Sequence, residues 1–244
     1  MDCPVCEIFS SVQGEGPLVG CRQIFIRLYG CNLHCAYCDT VLSEEPAHCR
    51  VEVSPGQRNF KLLQKPLQVR EIASVAATFD LSLHHSVSLT GGEPLLRPSL
   101  LKALIPLLRG TRRGIYLETN GTLPDALAEV IDLVDMVAMD FKLPSVTGLP
   151  PFWKEHKSFL KVAVLKKTFI KMVVGNETPL DEIGEAAELI RETSSNIPLI
   201  LQPVTFSGTG GLTAEHALSL QKRALERLED VRVIPQVHRT MGCL

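Results

Sequence analysis

The stretch 87–122, VSLTGGEPLLRPSLLKALIPLLRGTRRGIYLETNGT, decides the fold. It opens on an apolar run at 87–90, breaks at Gly91-Gly92, starts a helix at Pro98-Ser99 and returns to an apolar run at 114–118. Proline fits a first helical turn because its missing N–H is one that a helix leaves unbonded there. Strand, helix and strand in this order form a right-handed βαβ unit, which sets two parallel strands in one sheet.

The same rhythm extends in both directions. Apolar runs recur near 23–29, 135–141, 168–174, 198–203 and 231–235, and helix-like segments fall at 69–79, 98–108, 124–131, 151–164, 179–192 and 213–228. Pro124-Asp125, and Thr213 followed by Glu215-His216, are further helix-entry signals. The pattern predicts an α/β fold with mostly parallel strands. Runs such as 168–174 are apolar on both faces, as in a sheet covered by helices. Periodicity leaves a doubly wound sheet and a barrel both open. Residues 41–66 have no visible period and are punctuated by Pro46, Pro55, Gly56 and Pro66. The chain reads as a single domain, 1–244, with an irregular stretch at about 41–66 that reads as a lid or insertion rather than a linker.

Composition excludes several classes. Of 244 residues, 45% are hydrophobic and 21% charged, which argues against a disordered chain. The 25 basic and 27 acidic side chains leave a net charge of −2, no general footprint for nucleic acid or an anionic membrane. No run approaches the roughly 18 apolar residues of a membrane span, and the first residues have neither part of a signal peptide. The expected compartment is the cytoplasm, where eight cysteines serve as metal ligands, catalytic thiols or core residues rather than disulfides.

Polar residues follow the strands. Thr90-Gly91-Gly92-Glu93-Pro94, Glu118-Thr119-Asn120-Gly121-Thr122, Asp140-Phe141-Lys142, Gly175-Asn176-Glu177 and Gln202-Pro203 each end or follow an apolar run. In parallel α/β folds the carboxyl ends of the strands carry the site. Any one of these is also an ordinary turn, but their recurrence predicts a polar ligand across the mouth. Directly after the first strand, Cys31, Cys35 and Cys38 give the spacing C-x3-C-x2-C. Three thiols on a tight loop suit a soft metal centre. Two readings stand: a structural zinc completed by His34 or by Cys3 and Cys6, or a four-iron cluster with one iron left open for chemistry.

The cysteine loop and the Thr90–Pro94 segment resemble the radical S-adenosylmethionine (SAM) superfamily. The resemblance implies a partial (β/α) barrel, a 4Fe-4S cluster on Cys31, Cys35 and Cys38, and SAM on the open iron. Gly91, Gly92 and Glu93 would meet its methionine amine. Residues 7–16, Gly20 with 25–28, Cys38-Asp39-Thr40, 118–122 and 234–238 are similar to the family of 7-carboxy-7-deazaguanine synthases. That likeness implies conversion of 6-carboxy-5,6,7,8-tetrahydropterin to 7-carboxy-7-deazaguanine with loss of ammonia, in queuosine and deazapurine biosynthesis. It also implies Mg2+, a homodimer, and a one-electron reductant such as flavodoxin or ferredoxin. Carried over by position, Gln13, Gly14 and Glu15 would hold the pterin edge, Arg27 its carboxylate, Thr40 the Mg2+, and Thr90 would face the substrate. Glu118, Asn120, Lys142 and Gln202 would join Gly92 in lining the SAM site. For Arg27 there is an independent argument: an arginine on an apolar strand needs a partner or a cavity. One departure is Asp140-Phe141-Lys142, where the family commonly has Ser-Pro-Lys. Asp140-x-Lys142 also resembles activating enzymes that install a radical on a partner protein, which is the competing enzymatic reading. The non-enzymatic one, a zinc-stabilised binding module, gives no reason for the Gly-Gly-Glu-Pro loop.

Overall fold

The computed structural model describes residues 3–38, 44–205 and 212–244. Among these, ten strands form one sheet: β1 (Val5–Val12), β2 (Arg22–Leu28), β3 (His48–Glu52), β4 (Phe60–Gln64), β5 (Ser86–Gly91), β6 (Ile115–Thr119), β7 (Met136–Asp140), β8 (Lys167–Val174), β9 (Leu199–Pro203) and β10 (Val231–Val233). The helices are α1 (Val69–Ala77), α2 (Pro98–Leu104), α3 (Pro124–Val130), α4 (Pro144–Thr147), α5 (Trp153–Ala163), α6 (Leu180–Arg191), α7 (Ala214–Leu225) and α8 (Val237–Met241). Sequence signals set several helix starts. Pro98 and Pro124 occupy the first turns of α2 and α3, and Thr213 Oγ1 caps α7 by accepting from the His216 N–H.

The strand order is β10-β9-β8-β7-β6-β5-β2-β1-β3-β4. Every pair from β2 through β5 to β10 is parallel. On the other side β1 is antiparallel to β2 and parallel to β3, and β3 and β4 form an antiparallel hairpin. The sheet runs from β10 to β4 without closing, so the barrel is partial. Residues 41–66 are therefore not irregular throughout. Strands β3 and β4 lie within them and extend the sheet at one edge. Short hairpin strands of five residues, with Pro55-Gly56 between them, were too short to display a period. No helix among the described residues is long and apolar enough to cross a membrane.

The pleat sorts each strand into two faces. Ile24, Ile26, Val87, Leu89, Leu117, Val137, Met139, Ile170, Met172, Leu199 and Leu201 join the large core under the helices. Their neighbours, Phe25, Arg27, Thr90, Glu118, Asp140, Lys171 and Gln202, line a cavity on the opposite face. A smaller apolar cluster of Tyr116, Met136, Ala138, Phe169 and Ile200 forms the rest of that inner face.

Candidate active site

The cavity has a volume of about 980 Å³ and is walled by the carboxyl-terminal halves of β2 and β5–β9, by the cysteine loop and by the tail after β10. Ligand-sized pockets commonly fall in the range of about 300–1,000 Å³. All three cysteines line it, together with Gln13, Gly14, Glu15, Arg27, Thr90, Gly91, Gly92, Glu118, Asn120, Lys142 and Gln202. Fourteen side chains and glycines expected at the site thus meet in one place. Of the remaining expected residues, Glu93 lies outside the cavity wall, and Thr40, expected on Mg2+, lies outside the described residues.

At one end of the cavity the Gly-Gly-Glu loop is stitched to the cysteine loop by backbone. The Gly92 N–H donates to the Leu28 carbonyl (2.9 Å) and the Glu93 N–H to the Gly30 carbonyl (2.7 Å). A Cβ on Gly92 would fall 1.9 Å from the Gly30 oxygen, so only glycine permits this approach. Asn120 spans the gap: its amide nitrogen donates to Asn32 Oδ1 (2.9 Å) and lies 3.8 Å from Cys31 Sγ. Beneath it, buried His156 approaches the Asn120 carbonyl through Nε2 at 3.3 Å.

Glu93 corrects an expectation. It is 1% exposed and its carboxylate turns inward, accepting from the N–H groups of Leu95 and Asn120 and from Thr119 Oγ1 at 2.7–2.9 Å. Burial pushes its pKa up to about 7 despite these bonds. Glu93 therefore anchors the loop from behind, while Gly91 and Gly92 present backbone to the cavity. Its place ahead of the Pro94–Leu96 turn explains the reversal, because there the carboxylate caps the turn by accepting from the Leu95 N–H.

The other end is built from side-chain charge. Gln13 Nε2 donates to Glu118 Oε1 and to Gln23 Oε1, both at 2.9 Å. Glu118 also accepts from Ser88 and from Thr90, the latter at 2.7 Å. Glu118, expected on the SAM side, thus sits among the residues expected to meet substrate. Gln202 moves likewise, its Nε2 donating to Glu15 Oε1 at 3.2 Å. Arg27 stands on the cavity face with Phe25, as the alternation predicts, but Glu7 on β1 already pairs with it at 3.2 Å. A ligand anion is therefore not needed to neutralise Arg27, because the register of β1 and β2 sets the two residues opposite each other. Glu7 also meets Arg50 at 3.6 Å.

Sequence reasoning did not single out Lys171 or Tyr37, and it marked 234–238 by its likeness alone, with no role for Gln236 or His238. Lys171 Nζ lies 2.5 Å from Glu15 and 3.2 Å from Asp140. Lys142 Nζ pairs with Asp140 at 2.9 Å and donates to Tyr37 OH at 3.0 Å. A lysine inside the run Phe169-Ile170-Lys171-Met172-Val173 carries the same signal that marked Arg27, and would have been found by the same argument. The 234–238 segment packs on the Gln13–Glu15 turn. The Val237 N–H donates to the Gly14 carbonyl (2.9 Å), Gln236 Nε2 donates to Glu15 Oε1 (2.6 Å), and His238 occupies the space of a Gly14 Cβ.

The cysteines divide by environment. Cys3, Cys6 and Cys49 are buried, and burial pushes Cys49 up to about 12. Cys31 and Cys38 are exposed and Cys35 half-buried, all at the rim. No group of three or more His, Cys, Asp or Glu side chains among the described residues is spaced to enclose one metal ion. Three separate thiols facing a cavity suit a cluster that takes one thiolate per iron and leaves the fourth iron open.

Comparison with known proteins agrees. A profile of the radical SAM superfamily matches residues 25–190. The 7-carboxy-7-deazaguanine synthase of Geobacter sulfurreducens is 47% identical over 98% of this chain and 96% of that protein. The synthase of Archaeoglobus fulgidus is 36% identical, over 99% of both. The crystal structure of QueE from Escherichia coli superposes with a TM-score of 0.60, covering 98% of this chain and 95% of that one at 22% identity, which bears on the fold. The chain belongs to the radical SAM superfamily and, within it, to the family of 7-carboxy-7-deazaguanine synthases. It is an enzyme of the lyase type that works with a 4Fe-4S cluster and SAM, in queuosine biosynthesis.

Proposed function

We propose that this chain converts 6-carboxy-5,6,7,8-tetrahydropterin to 7-carboxy-7-deazaguanine with release of ammonia, on Gln13, Gly14, Glu15, Arg27 and Thr90. The observation that carries the reading is the convergence of the three thiols, the glycine loop and two carboxylate-bearing clusters on one cavity. When bound, the cluster would pass an electron from the reductant to SAM, the chemistry this family draws on. Cys31, Cys35 and Cys38 would hold the cluster, with Gly91, Gly92, Asn120 and Lys142 lining the SAM side. Glu15 and Glu118 accept hydrogen bonds, which suits the N–H-rich edge of a pterin. Two arms of the Arg27 guanidinium match the fork of a carboxylate, with Glu7 steadying the group from its other side. Phe9 and Phe25, stacked at 4.9 Å beside Arg27, give that end an apolar wall for a flat ring.

Mg2+ on Thr40, a homodimer, a cytoplasmic location and flavodoxin or ferredoxin as reductant belong to the same reading and rest on the family likeness. Anaerobic incubation with SAM, a chemical reductant and the carboxypterin, followed by product mass, tests the reaction. A product lighter by one ammonia is expected; SAM cleavage with the pterin unchanged would overturn the assignment. Thr40→Ala should keep iron and SAM binding while turnover loses its response to added Mg2+.

A further inference from the structure

Lys171 is a buried cation that the functional reading above leaves without a task. Its side chain is 17% exposed, it stands on the cavity face of β8, and its ammonium divides itself between Glu15 (2.5 Å) and Asp140 (3.2 Å). Glu15 receives two further bonds from the amides of Gln202 (3.2 Å) and Gln236 (2.6 Å), both on Oε1, while Lys171 takes Oε2. The carboxylate is thus fixed from three elements: β8, β9 and the segment after β10. Burial alone would raise its pKa, but Lys171 and Gln236 outweigh that and hold it below the usual range. Asp140 takes both lysines on Oδ2, and its Oδ1 has no partner; Gln202 Oε1 is likewise buried and unpartnered. Unpaired buried acceptors on either side of the Lys171–Glu15 pair are costly unless a donor arrives. An N–H-rich ligand supplies such donors.

We infer that Lys171 is a positioning residue that fixes the Glu15 carboxylate for the substrate's N–H edge, acting through Glu15 rather than on the cluster or SAM. The inference rests on the proposed pterin reaction. The four charges, Glu15, Asp140, Lys142 and Lys171, sum to zero. Removing one cation leaves a buried carboxylate to find another donor or take up a proton. Either change spoils an acceptor aimed at a ligand. The ion pairs of Lys171 go to Glu15 and Asp140, and its link to Tyr37 of the loop runs through Asp140 and Lys142.

The test is a double-mutant cycle on reconstituted enzyme, with Lys171→Met, Glu15→Gln and the pair. Iron content and SAM cleavage without pterin are measured beside the pterin KM and kcat. Lys171→Met should raise KM about tenfold or more and change kcat less, with iron and uncoupled SAM cleavage within about twofold of the parent. In the Glu15→Gln background, adding Lys171→Met should change KM by less than about twofold, because the target of the lysine is gone. Should Lys171→Met fail to fold, Lys171→Arg runs the same cycle, with a smaller rise expected because the charge remains. The inference is overturned if KM stays within twofold in Lys171→Met, or in Lys171→Arg where that variant has to stand in for it. It is also overturned if the two effects multiply, or if iron and uncoupled cleavage fall together with turnover. A parent enzyme that cleaves SAM but neither binds nor converts the carboxypterin overturns the pterin reading and this inference with it, a result distinct from a failure of the variant alone.

Discussion

The two ends of the cavity are made differently. The cysteine end is held mainly by backbone and neutral amides, Gly92 against Gly30 and Asn120 against Asn32, with Glu93 kept out of the cavity and one charge, Lys142, reaching Tyr37 of the loop. The other end is held by paired charges, Arg27 with Glu7 and Lys171 with both Glu15 and Asp140. Backbone contact has no give, so damage at the cysteine end should be all or none. Charge pairs relax, so damage at the far end should be graded. The largest effect expected anywhere follows from this. Replacing Cys31, Cys35 or Cys38 with alanine should abolish turnover and strip most iron after anaerobic reconstitution. Cys3→Ala, Cys21→Ala or Cys243→Ala should leave iron near the parent's level. A full complement of iron in any of the first three variants would remove that cysteine from the ligand set.

Gly92→Ala probes the same rigidity without touching a thiol. Its Cβ would meet the Gly30 oxygen at 1.9 Å and the Cys31 nitrogen at 3.1 Å, both backbone atoms that cannot swing aside. Overpacking of this kind costs about 1–3 kcal/mol, and here it is spent on displacing Cys31. SAM affinity should fall about tenfold to a hundredfold, read by equilibrium binding to the reconstituted protein. Normal SAM affinity in Gly92→Ala would erase the contrast between the two ends.

How much of this could be read from the chain follows the same division. The parallel half of the sheet was legible because its seven strands are apolar runs with helix-like segments between most of them. The edge formed by β3 and β4 was not, since five-residue strands with exposed Leu62 and polar neighbours carry no distinguishable period. Strand β1 was missed for a related reason: Val5–Val12 mixes Cys6, Glu7, Ser10 and Ser11 among apolar residues, as a strand facing the cavity must. At the site, residue types in tight local spacing were legible, namely the cysteines and the glycine loop. Residue direction was not. Glu93 and Glu118 are both glutamates at strand ends, yet one points beneath its loop and the other across to Gln13. Such choices depend on long-range packing, and so does the meeting of 13–15 with 234–238.

Arg27→Lys tests the graded end. Lysine keeps the charge beside Glu7 but loses the planar fork. Full truncation of a buried charged pair costs about 2–5 kcal/mol, and lysine should recover part of it. The carboxypterin kcat/KM should fall about tenfold to thirtyfold, with iron content and uncoupled SAM cleavage unchanged. Complete loss of cluster assembly in this variant would show that both ends are one rigid unit and that Arg27 is structural.

The smallest effect on turnover, and the sharpest on stability, is expected at His156, which supports the cysteine end from below. The Asn120 carbonyl can only accept, so Nε2 carries the proton, and Nδ1 is buried without a partner. A second proton would have to sit on Nδ1, away from water and packed against Phe141 at 4.1 Å between ring centres. Burial accordingly lowers the pKa of His156 to about 4. The unfolded chain binds that proton near pH 6.5. The stability contributed by neutral His156 is therefore fully present above pH 6.5 and drains away as pH falls toward 4, by on the order of 3 kcal/mol. Glu93 acts in the opposite sense: its folded pKa is raised, so its contribution is present below about 4.5 and lost as pH rises through about 7. The two partly cancel in the parent, so the difference between parent and His156→Gln is the informative quantity. Urea unfolding from pH 7.5 to 4 should show the parent losing stability relative to His156→Gln across the 6.5–4 window, with the two curves parallel above pH 7. Parallel curves throughout would mean that His156 titrates alike in both states, and that the floor under Asn120 is wet rather than packed.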